Sequence, residues 1–216
     1  MTRTDRERDL VTYYTGELQA RVNRELAEPR VVRRTAYLDQ LHAEGRSTVL
    51  EIGCGPGRDG QAIAAAGFTY TGVDLAPASV EACCALGLRA EVASVLELPF
   101  ADGSFDAGWT MSTLLHVADE DLDRALGEIV RVLRPGAPLA LGLWGNADGS
   151  EQVWQDGKGY GPGRFFSIRT DDGLRAVLER YGEVEQWATW DEDRVMHYQW
   201  AVLRVSVSWG RGLLRR

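Results

Sequence analysis

VLEIGCGPGRDG, residues 49–60, contains two overlapping glycine patterns that predict different turns. Read from Gly55, the letters G-P-G-R-D-G match the G-x-G-x-x-G of a dinucleotide-binding turn. Read from Gly53, the run is G-x-G-x-G and follows the acidic residue Glu51. In a dinucleotide turn the first glycine directly follows the strand, because it makes the tight turn, and Gly53 holds that place. Because Arg58 then stands where the third glycine belongs, the register disfavours a dinucleotide.

Two acidic residues close to the glycine turn, Asp74 and Glu51, indicate which class of ligand the turn binds. Asp74 closes the next predicted strand, FTYTGVDL, where a carboxylate is placed to accept hydrogen bonds from a ribose diol. Glu51 lies at the end of a buried strand, where a carboxylate is costly unless a cationic or donor-rich group faces it. Glu51 would repel a pyrophosphate but would tolerate a cation. The sequence therefore predicts a nucleoside ligand with a cationic part.

Strand-like and helix-like runs alternate along most of the chain. This alternation predicts a mostly parallel sheet with helices on both faces, because parallel strands need helical crossovers. The last two strand-like runs are joined by a stretch too short for a crossover, so we expect them to pair antiparallel. The expected fold is α/β, with a doubly wound, seven-stranded, mostly parallel sheet, an antiparallel C-terminal edge hairpin and two N-terminal helices. The strand-like runs are STVLEI, FTYTGVDL, residues 88–93, FDAGWTM, PLALGLW, GEVEQWATW and MHYQWAVLRV.

The N-terminal part, residues 1–45, is expected to form the two helices. Apolar residues from Val11 to Val22 recur at spacings of three and four, which is one helical face. Pro29 is expected to end the first helix before a second at about 31–44. Later helices are expected to follow the glycine turn and to start at Pro77, at Asp119 and after Thr170.

The segment from Gly145 to Ser167 carries six glycines and no regular apolar period. Loops of this length inside a compact pattern are usually functional or disordered. Aromatic side chains in it would give contact area to a ligand: Trp154, Tyr160, Phe165 and Phe166. We treat about 145–167 as a candidate substrate loop within a single domain whose core is 46–216, and a disordered surface connection is the alternative.

The composition of the 216-residue chain is that of a soluble globular protein, with 44% hydrophobic and 26% charged residues. No run approaches the roughly 18 apolar residues of a membrane span, and the charged start MTRTDRERDL lacks an apolar signal core, so we expect a cytoplasmic protein without a membrane partner. The net charge of −8 disfavours nucleic acid and favours a small-molecule partner. The basic run WGRGLLRR is expected to be a solvated tail. Nothing in the sequence predicts an oligomeric state.

The three cysteines, Cys54, Cys83 and Cys84, form no C-x-x-C pair and no cluster with histidine. We therefore expect neither a zinc site nor a disulfide, and no metal. Cys83 and Cys84 are expected to be buried as small apolar side chains.

Four stretches in order resemble the motifs of one family, the class I S-adenosylmethionine-dependent methyltransferases of the small-molecule branch. VLEIGCGPG is similar to their first motif and GVDLAP to their second. LELPFADGSFDAGW resembles their adenine-side segment and fourth strand, and ALGEIVRVLRPGAPLAL their marked helix and fifth strand. The resemblance covers about 47–145. It implies a Rossmann-like fold, S-adenosylmethionine as cofactor, and methyl transfer to a small-molecule acceptor by in-line displacement.

The resemblance also implies the cofactor contacts. Glu51, Gly53 and Gly55 would surround the methionine part, Asp74 would hold the ribose, and Leu75 would lie against the adenine. The 1–45 helices would cover the cofactor site. The cofactor-binding residues expected in full are Glu51, Gly53, Cys54, Gly55, Gly57, Asp74, Leu75, Ser94, Val95 and Met111.

The chain departs from the family pattern at Ser94, four residues before LPF. The family commonly has an aspartate there, which accepts a hydrogen bond from the adenine amino group. A hydroxyl also accepts, but more weakly than a carboxylate. The backbone amide of Val95 is a second group that could form a hydrogen bond with the adenine ring.

Two residues are candidates for catalysis. His116 follows the fourth predicted strand, where open parallel sheets bind ligands, and an imidazole suits proton transfer near neutral pH. A helix-start residue satisfied by the backbone is the alternative for His116. Tyr14 would cover the cofactor from the first helix, with core packing as its alternative. His42 and His197 are interpreted as structural.

Other functions remain open at this point. A base methyltransferase is disfavoured because neither N-P-P-Y nor P-C occurs in the sequence, and a dehydrogenase is disfavoured by the glycine register. A protein that binds S-adenosylmethionine without methyl transfer remains an alternative, as does a methyltransferase acting on RNA or protein.

Overall fold

The computed structural model describes residues 1–191 and 195–206, and its contacts divide the chain into two compact units. Unit 1 comprises Met1–Ser94 and Glu151–Phe166, and unit 2 comprises Val95–Ser150 and Ser167–Arg216 as far as these are described. The basic run WGRGLLRR, which we expected to be a solvated tail, lies outside the described residues.

The elements follow one another in the alternating order that the sequence predicted. The helices are α1 (Arg3–Asn23), α2 (Glu28–Ala43), α3 (Arg58–Ala65), α4 (Pro77–Ala85), α5 (Asp119–Val132) and α6 (Asp171–Leu178), with a short 3-10 turn at Leu114–His116. The strands are β1 (Thr48–Ile52), β2 (Thr69–Asp74), β3 (Ala90–Val92), β4 (Ala107–Met111), β5 (Pro138–Gly145), β6 (Ser150–Trp154), β7 (Arg164–Ile168), β8 (Gly182–Asp191) and β9 (His197–Val205).

Within the described residues, the main sheet has seven strands in the order β3-β2-β1-β4-β5-β9-β8. In unit 1, β2 pairs in parallel with β1 and with β3. In unit 2, β4 pairs in parallel with β5, while β9 pairs antiparallel with both β5 and β8. The predicted fold class, a mostly parallel seven-stranded sheet with an antiparallel edge hairpin, is confirmed.

Strand β1 has the composition of a strand that is covered on both faces. Val49, Leu50 and Ile52 are at most 1% exposed, with no alternation of buried and exposed positions. Parallel strands covered on both faces read as such continuous apolar runs. The strand ends at Ile52, so Gly53 begins the turn that follows it.

Helix α5 has both sequence features of an amphipathic helix, an apolar stripe and an acidic first turn. Its apolar stripe, which includes Leu122, Leu126 and Ile129, is buried in the core. Three acidic residues lie in its first turn, where they interact favourably with the positive end of the helix dipole. Burial of the stripe and the favourable dipole together fix the helix on the sheet.

The segment from 145 to 167 differs from the expected irregular loop. It contains β6 and most of β7, which form a separate two-stranded sheet. Strand β6, SEQVW, is almost entirely exposed, so it carries no apolar alternation that the sequence could reveal. Pairing with β7 satisfies backbone groups that an irregular loop would leave to water.

Two local expectations were also wrong. Pro29 lies in the first turn of α2 instead of ending the first helix, which stops at Asn23. Proline suits the first turn because its missing N–H would have no partner there. Cys83 is fully buried as expected, but Cys84 is exposed.

None of the helices in the described ranges combines the length and apolar character needed to cross a membrane.

Candidate cofactor site

The turn after β1 depends on three glycines with left-handed backbone conformations. Gly53, Gly55 and Gly57 have φ values of 77°, 51° and 81°. Only glycine adopts such angles without a steric penalty. The turn is tied to β2 because the amides of Gly53 and Cys54 both donate to the Val73 carbonyl, at 2.8 and 3.0 Å. The frame that starts at Gly53 is therefore the one the backbone uses.

The glycines of this turn serve two purposes. At Gly57, an added Cβ would lie 3.1 Å from both the Cys83 sulfur and a Leu88 methyl, so this glycine permits close packing. At Gly55, the one atom of residues 1–191 and 195–206 that an added Cβ would meet within 4 Å is Nη2 of Arg21, at 3.7 Å. The backbone at Gly55 thus leaves room for a ligand to approach closely, beside a cation.

Asp74 is bound directly to the glycine turn. Its Oδ2 accepts a hydrogen bond from the Gly55 amide at 2.8 Å, and its Oδ1 accepts from the Ala76 amide at 2.9 Å. Burial raises the pKa of Asp74, and these backbone donors oppose the rise. A carboxylate has about four acceptor sites, so Asp74 can hold the turn and still accept a hydrogen bond from a ligand hydroxyl group. Leu75, next in the chain, is half-buried.

Glu51 lies in the interior beneath the turn. It is 2% exposed, and its Oε2 accepts a hydrogen bond from the Tyr70 hydroxyl at 2.6 Å. Burial, followed by the negative charge of Asp59, raises the pKa of Glu51 well above its ordinary value. We expected a cationic or donor-rich group to face this carboxylate. In the structure, the Tyr70 hydroxyl donates a hydrogen bond to it.

Asp59, in the first turn of α3, holds α2 beside the glycine turn. Arg34 Nη1 donates to Asp59 Oδ1 at 2.6 Å, and Arg30 Nε donates to Oδ2 at 2.9 Å. Burial alone would raise the pKa of Asp59, but the two guanidinium groups outweigh it and hold the pKa below its ordinary value. The sequence reasoning missed this cluster, since nothing local marks a pairing across 29 residues.

Helix α1 brings Arg21 and Tyr14 to the same region of unit 1. The Arg21 guanidinium lies over the Tyr14 ring, 4.8 Å from its centroid, and Arg58 Nη1 lies 3.4 Å from the Arg21 carbonyl. Burial raises the pKa of Tyr14, which favours the neutral phenol. The sequence reasoning missed Arg21, although its position seven residues after Tyr14 places both on one helical face.

Ser94 donates a hydrogen bond from its hydroxyl to Glu7 Oε1, at 2.9 Å. A carboxylate from α1 therefore lies beside the position where the family that the sequence resembles commonly has an aspartate. Glu7 was not among the predicted residues, because it is separated from Ser94 by 87 positions.

The remaining predicted residues lie in unit 2. Val95 is half-buried, and Met111 is buried at the end of β4, with its sulfur 3.9 Å from the Tyr198 hydroxyl. The next residue, Ser112, has a φ of 56° and is the one non-glycine residue with a positive φ among those described. Its amide donates to the Gly142 carbonyl at 2.7 Å, and its Oγ lies 3.0 Å from the Tyr198 hydroxyl. Strained backbone of this kind is concentrated at functional sites.

His116 is the last residue of the 3-10 turn after β4, and it is half-buried. Its amide donates to the Thr113 carbonyl at 2.9 Å, as in the structural alternative of the sequence analysis. The turn follows the carboxyl end of a central strand, so the position agrees with a role in ligand binding as well.

Comparison with known proteins decides what kind of domain carries this turn. Residues 50–141 match the family described as a methyltransferase domain. The chain contains a methyltransferase domain. Its curated relatives include a 27-O-demethylrifamycin SV methyltransferase of Amycolatopsis mediterranei strain S699, 33% identical over 169 residues, which are 74% of this chain and 53% of the relative. The O-methyltransferase resE of Aspergillus sclerotiorum is 33% identical over 126 residues, 54% of this chain and 46% of the relative. The chain thus spans about half the length of these relatives.

The fold of the methyltransferase domain extends beyond the matched residues. The crystal structure of Burkholderia thailandensis 1,6-didemethyltoxoflavin-N1-methyltransferase, with 1,6-didemethyltoxoflavin and S-adenosylhomocysteine bound, is similar at a TM-score of 0.73 and 20% identity. The similarity covers 95% of this chain and 91% of that one. At such identity it shows the fold alone, and it confirms the Rossmann-like architecture.

In unit 1, α1 also contacts the segment between β6 and β7, which lies outside the matched part of the methyltransferase domain. The Tyr13 hydroxyl donates to Asp156 Oδ2, and Arg164 Nη2 pairs with the same oxygen at 3.1 Å. The Arg164 guanidinium stacks on the Tyr13 ring, 4.0 Å from its centroid, and its Nη1 lies 3.5 Å from the Tyr14 hydroxyl. Tyr14 thus links this segment to Arg21.

Close backbone packing accompanies these polar contacts. A Cβ added at Gly16 would collide with the Tyr160 carbonyl, and one added at Gly161 would lie 3.0 Å from the Tyr13 Cα. Next to them, Trp154 and Phe166 stack with ring centroids 4.4 Å apart. Of the aromatic residues that the sequence singled out, Tyr160 and Phe165 therefore contact α1, whereas Trp154 and Phe166 pack on each other.

The predicted site residues divide between the two units of the chain. Unit 1 brings together Tyr14, Glu51, Gly53, Cys54, Gly55, Gly57, Asp74, Leu75 and Ser94, and unit 2 contains Val95, Met111 and His116.

The other two histidines make the structural contacts that we expected. His42 stacks on Phe68 and bonds the Ala66 carbonyl at 3.0 Å, and His197 bonds Asp171 at 2.7 Å. No group of three or more His, Cys, Asp or Glu among residues 1–191 and 195–206 is arranged to hold a metal ion.

Proposed function

We propose that this protein is an S-adenosylmethionine-dependent methyltransferase that acts on a small-molecule acceptor. One observation carries the proposal: the left-handed glycine turn is bonded through the Gly55 amide to the Asp74 carboxylate, inside a methyltransferase domain. A turn open at Gly55 and an acceptor group at Asp74 suit a nucleoside ligand.

Three parts of the chain would hold the three parts of the cofactor. Arg21 lies beside Gly55, where its guanidinium can pair with the methionine carboxylate. Asp74 has the remaining lone pairs for the ribose hydroxyls. Leu75, with Ser94 and its partner Glu7, would line the adenine side.

The bound cofactor supplies an electrophilic methyl group on a positively charged sulfur. The chain must orient the acceptor in line with that methyl and exclude water, and good alignment alone can correspond to an effective molarity of about 10⁵ M or more. An acceptor that carries a proton also needs a base, and His116 is the group that we propose for this step.

Helix α1 and the segment around β6 and β7 are proposed to face the acceptor. Arg164 and the rings of Tyr13 and Tyr14 form a stacked group there, and aromatic side chains give a small ligand a large contact area. One relative is named as a 27-O-demethylrifamycin SV methyltransferase, and the similar structure is that of a 1,6-didemethyltoxoflavin-N1-methyltransferase. The net charge of −8 argues against a nucleic-acid acceptor.

The test is transfer of an isotopically labelled methyl group from S-adenosylmethionine to a panel of hydroxylated and aminated aromatic metabolites, with RNA and protein substrates as separate arms. We expect labelled small-molecule product, and mass spectrometry identifies the methylated atom. Cofactor binding without label transfer to any acceptor would favour the binding-protein alternative. Label in RNA or protein alone would contradict the proposed acceptor class.

Replacement of His116 by alanine tests the proposed base. We expect turnover to fall by about 10²-fold or more, because a general base typically contributes that much, with little change in cofactor affinity. The fall at the acidic end of the pH–rate profile should disappear in the variant, since that ionisation belongs to the removed group. Unchanged turnover would leave alignment as the means of catalysis.

A further inference from the structure

Arg169 lies directly after β7, and its side chain is buried, with 6% of the residue exposed. Its guanidinium is hydrogen-bonded to described residues of unit 2. Nη1 donates to the Leu114 carbonyl at 3.0 Å, Nη2 donates to the Val117 carbonyl at 2.7 Å, and Nε donates to Asp119 Oδ1 at 2.8 Å. One side chain thus holds both ends of the short turn that contains His116.

The turn is also anchored by apolar burial, because Leu114 and Leu115 are 2% and 1% exposed. Its backbone hydrogen bonds run from the His116 amide to the Thr113 carbonyl at 2.9 Å and from the Val117 amide to the Leu114 carbonyl at 3.2 Å. A 3-10 turn has poorer hydrogen-bond geometry than an α-helix. The bonds from Arg169 to the Leu114 and Val117 carbonyls therefore add polar restraints at both ends of the turn.

Arg169 is itself fixed from two directions. Gln199 Nε2 donates to the Arg169 carbonyl at 3.0 Å and to Asp171 Oδ1 at 2.7 Å. Asp119 accepts a second hydrogen bond from Ser167 Oγ, at 3.0 Å. Strand β9, strand β7 and the start of α5 thus hold both ends of the arginine.

We propose that Arg169 is a positioning residue for methyl transfer, which sets the backbone of His116 so that the imidazole reaches the acceptor proton. The inference rests on the proposed function and on His116 as the base. The planar guanidinium is required because it presents several donors in a rigid fork, whereas a lysine ammonium is a single charged point. Lysine at this position would keep the charge but would lose the simultaneous hydrogen bonds to the Leu114 and Val117 carbonyls.

The experiment is a double-mutant cycle between Arg169→Lys and His116→Gln, measured with the acceptor found in the methylation screen. We expect Arg169→Lys to lower kcat by about 10²-fold, since a displacement of 1 Å can cost that much, while the affinity for S-adenosylmethionine stays within about twofold. In the His116→Gln background the same substitution should lower kcat no further, because the group it positions is absent. Equal losses in both backgrounds would show a merely structural role and overturn the proposal.

A second arm needs no turnover. The chain has three histidines, so imidazole NMR signals are few and His116→Gln assigns one of them. Arg169→Lys should shift or broaden the His116 signal and leave that of His42 unchanged, which also shows that the variant is folded. An unperturbed His116 signal would overturn the proposal, whereas lack of turnover by the wild-type protein would count against the proposed function alone.

Arg204→Lys is the matched control. Arg204 also pairs with a carboxylate, Glu185, and donates to a backbone carbonyl, that of Gly136, but at the other end of β5. It should leave both kcat and the His116 signal unchanged. If Arg169→Lys fails to fold, Asp119→Asn provides the milder variant, because it weakens the hydrogen bond to Arg169 Nε. We expect Asp119→Asn to lower kcat by less, and we expect no further loss in the His116→Gln background. A loss that persists in that background would overturn the proposal.

Discussion

Two carboxylates at the ends of neighbouring parallel strands differ in what they can still bind. Asp74 accepts from the backbone amides of Gly55 and Ala76, and a carboxylate has acceptor sites beyond these two. Glu51 is buried and accepts from the Tyr70 hydroxyl, and burial favours its protonated form. We therefore assign the direct contact with the ribose to Asp74. We expect Glu51 to affect the stability of the fold, through its buried hydrogen bond with Tyr70.

Asp74→Ala should weaken S-adenosylmethionine binding by about 1.5–3 kcal/mol, the range for loss of hydrogen bonds to a charged group. Isothermal titration calorimetry measures it, with Asp39→Ala, an exposed carboxylate on α2, as the control. Asp74→Asn keeps one acceptor oxygen and should lose less. An affinity that is unchanged in both Asp74 variants would mean that this carboxylate only ties the turn to β2.

Glu51→Gln should make the free protein more stable than wild type at neutral pH. The folded-state pKa of Glu51 is raised by burial, so its contribution to stability is full below the ordinary glutamate pKa and is lost as pH rises through the folded value. The difference in unfolding free energy between variant and wild type should thus grow as pH rises. Urea unfolding at several pH values measures this difference, and a gap that narrows as pH rises would contradict the account.

At the scale of elements, α1 joins the glycine turn to the β6–β7 segment. Arg21 lies beside Gly55, Tyr14 contacts both Arg21 and Arg164, and Asp156 binds Tyr13 and Arg164. These contacts form one continuous path through unit 1. Order in the 151–166 segment is therefore expected to depend on how closely it packs on α1.

Gly16→Ala should separate that segment from α1. The added methyl group would collide with the Tyr160 carbonyl, which belongs to the backbone and cannot turn away. We expect faster hydrogen exchange across 151–166, with the exchange of β1 and β2 unchanged. Thr15→Ala, at an exposed position of the same helix, should have no such effect; equal exchange in the two variants would show that this packing does not order the segment.

At the scale of the whole molecule, periodicity and glycine placement predicted most of the architecture. Alternating strands and helices predicted the parallel sheet, and a short link predicted the antiparallel hairpin, because both are local consequences of chain geometry. The register of the glycine turn could be read for the same reason, since only glycine tolerates the angles at 53, 55 and 57.

The parts that sequence reasoning missed are side chains whose partners lie far along the chain. Arg30 with Asp59, Glu7 with Ser94 and Arg169 with the turn at Leu114 are separated by 29, 87 and 55 positions. No local pattern marks such pairs, because each is created by the fold. Strand β6 was missed for another reason: it is exposed and polar, so it has no apolar face to give it a period.

Calorimetric titration of the full chain measures whether the Gly53–Gly57 turn and Asp74 bind S-adenosylmethionine. We predict one site per chain for S-adenosylmethionine or S-adenosylhomocysteine, with no heat of binding for a nicotinamide dinucleotide. Tight binding of the dinucleotide, with none of either sulfur compound, would contradict the account.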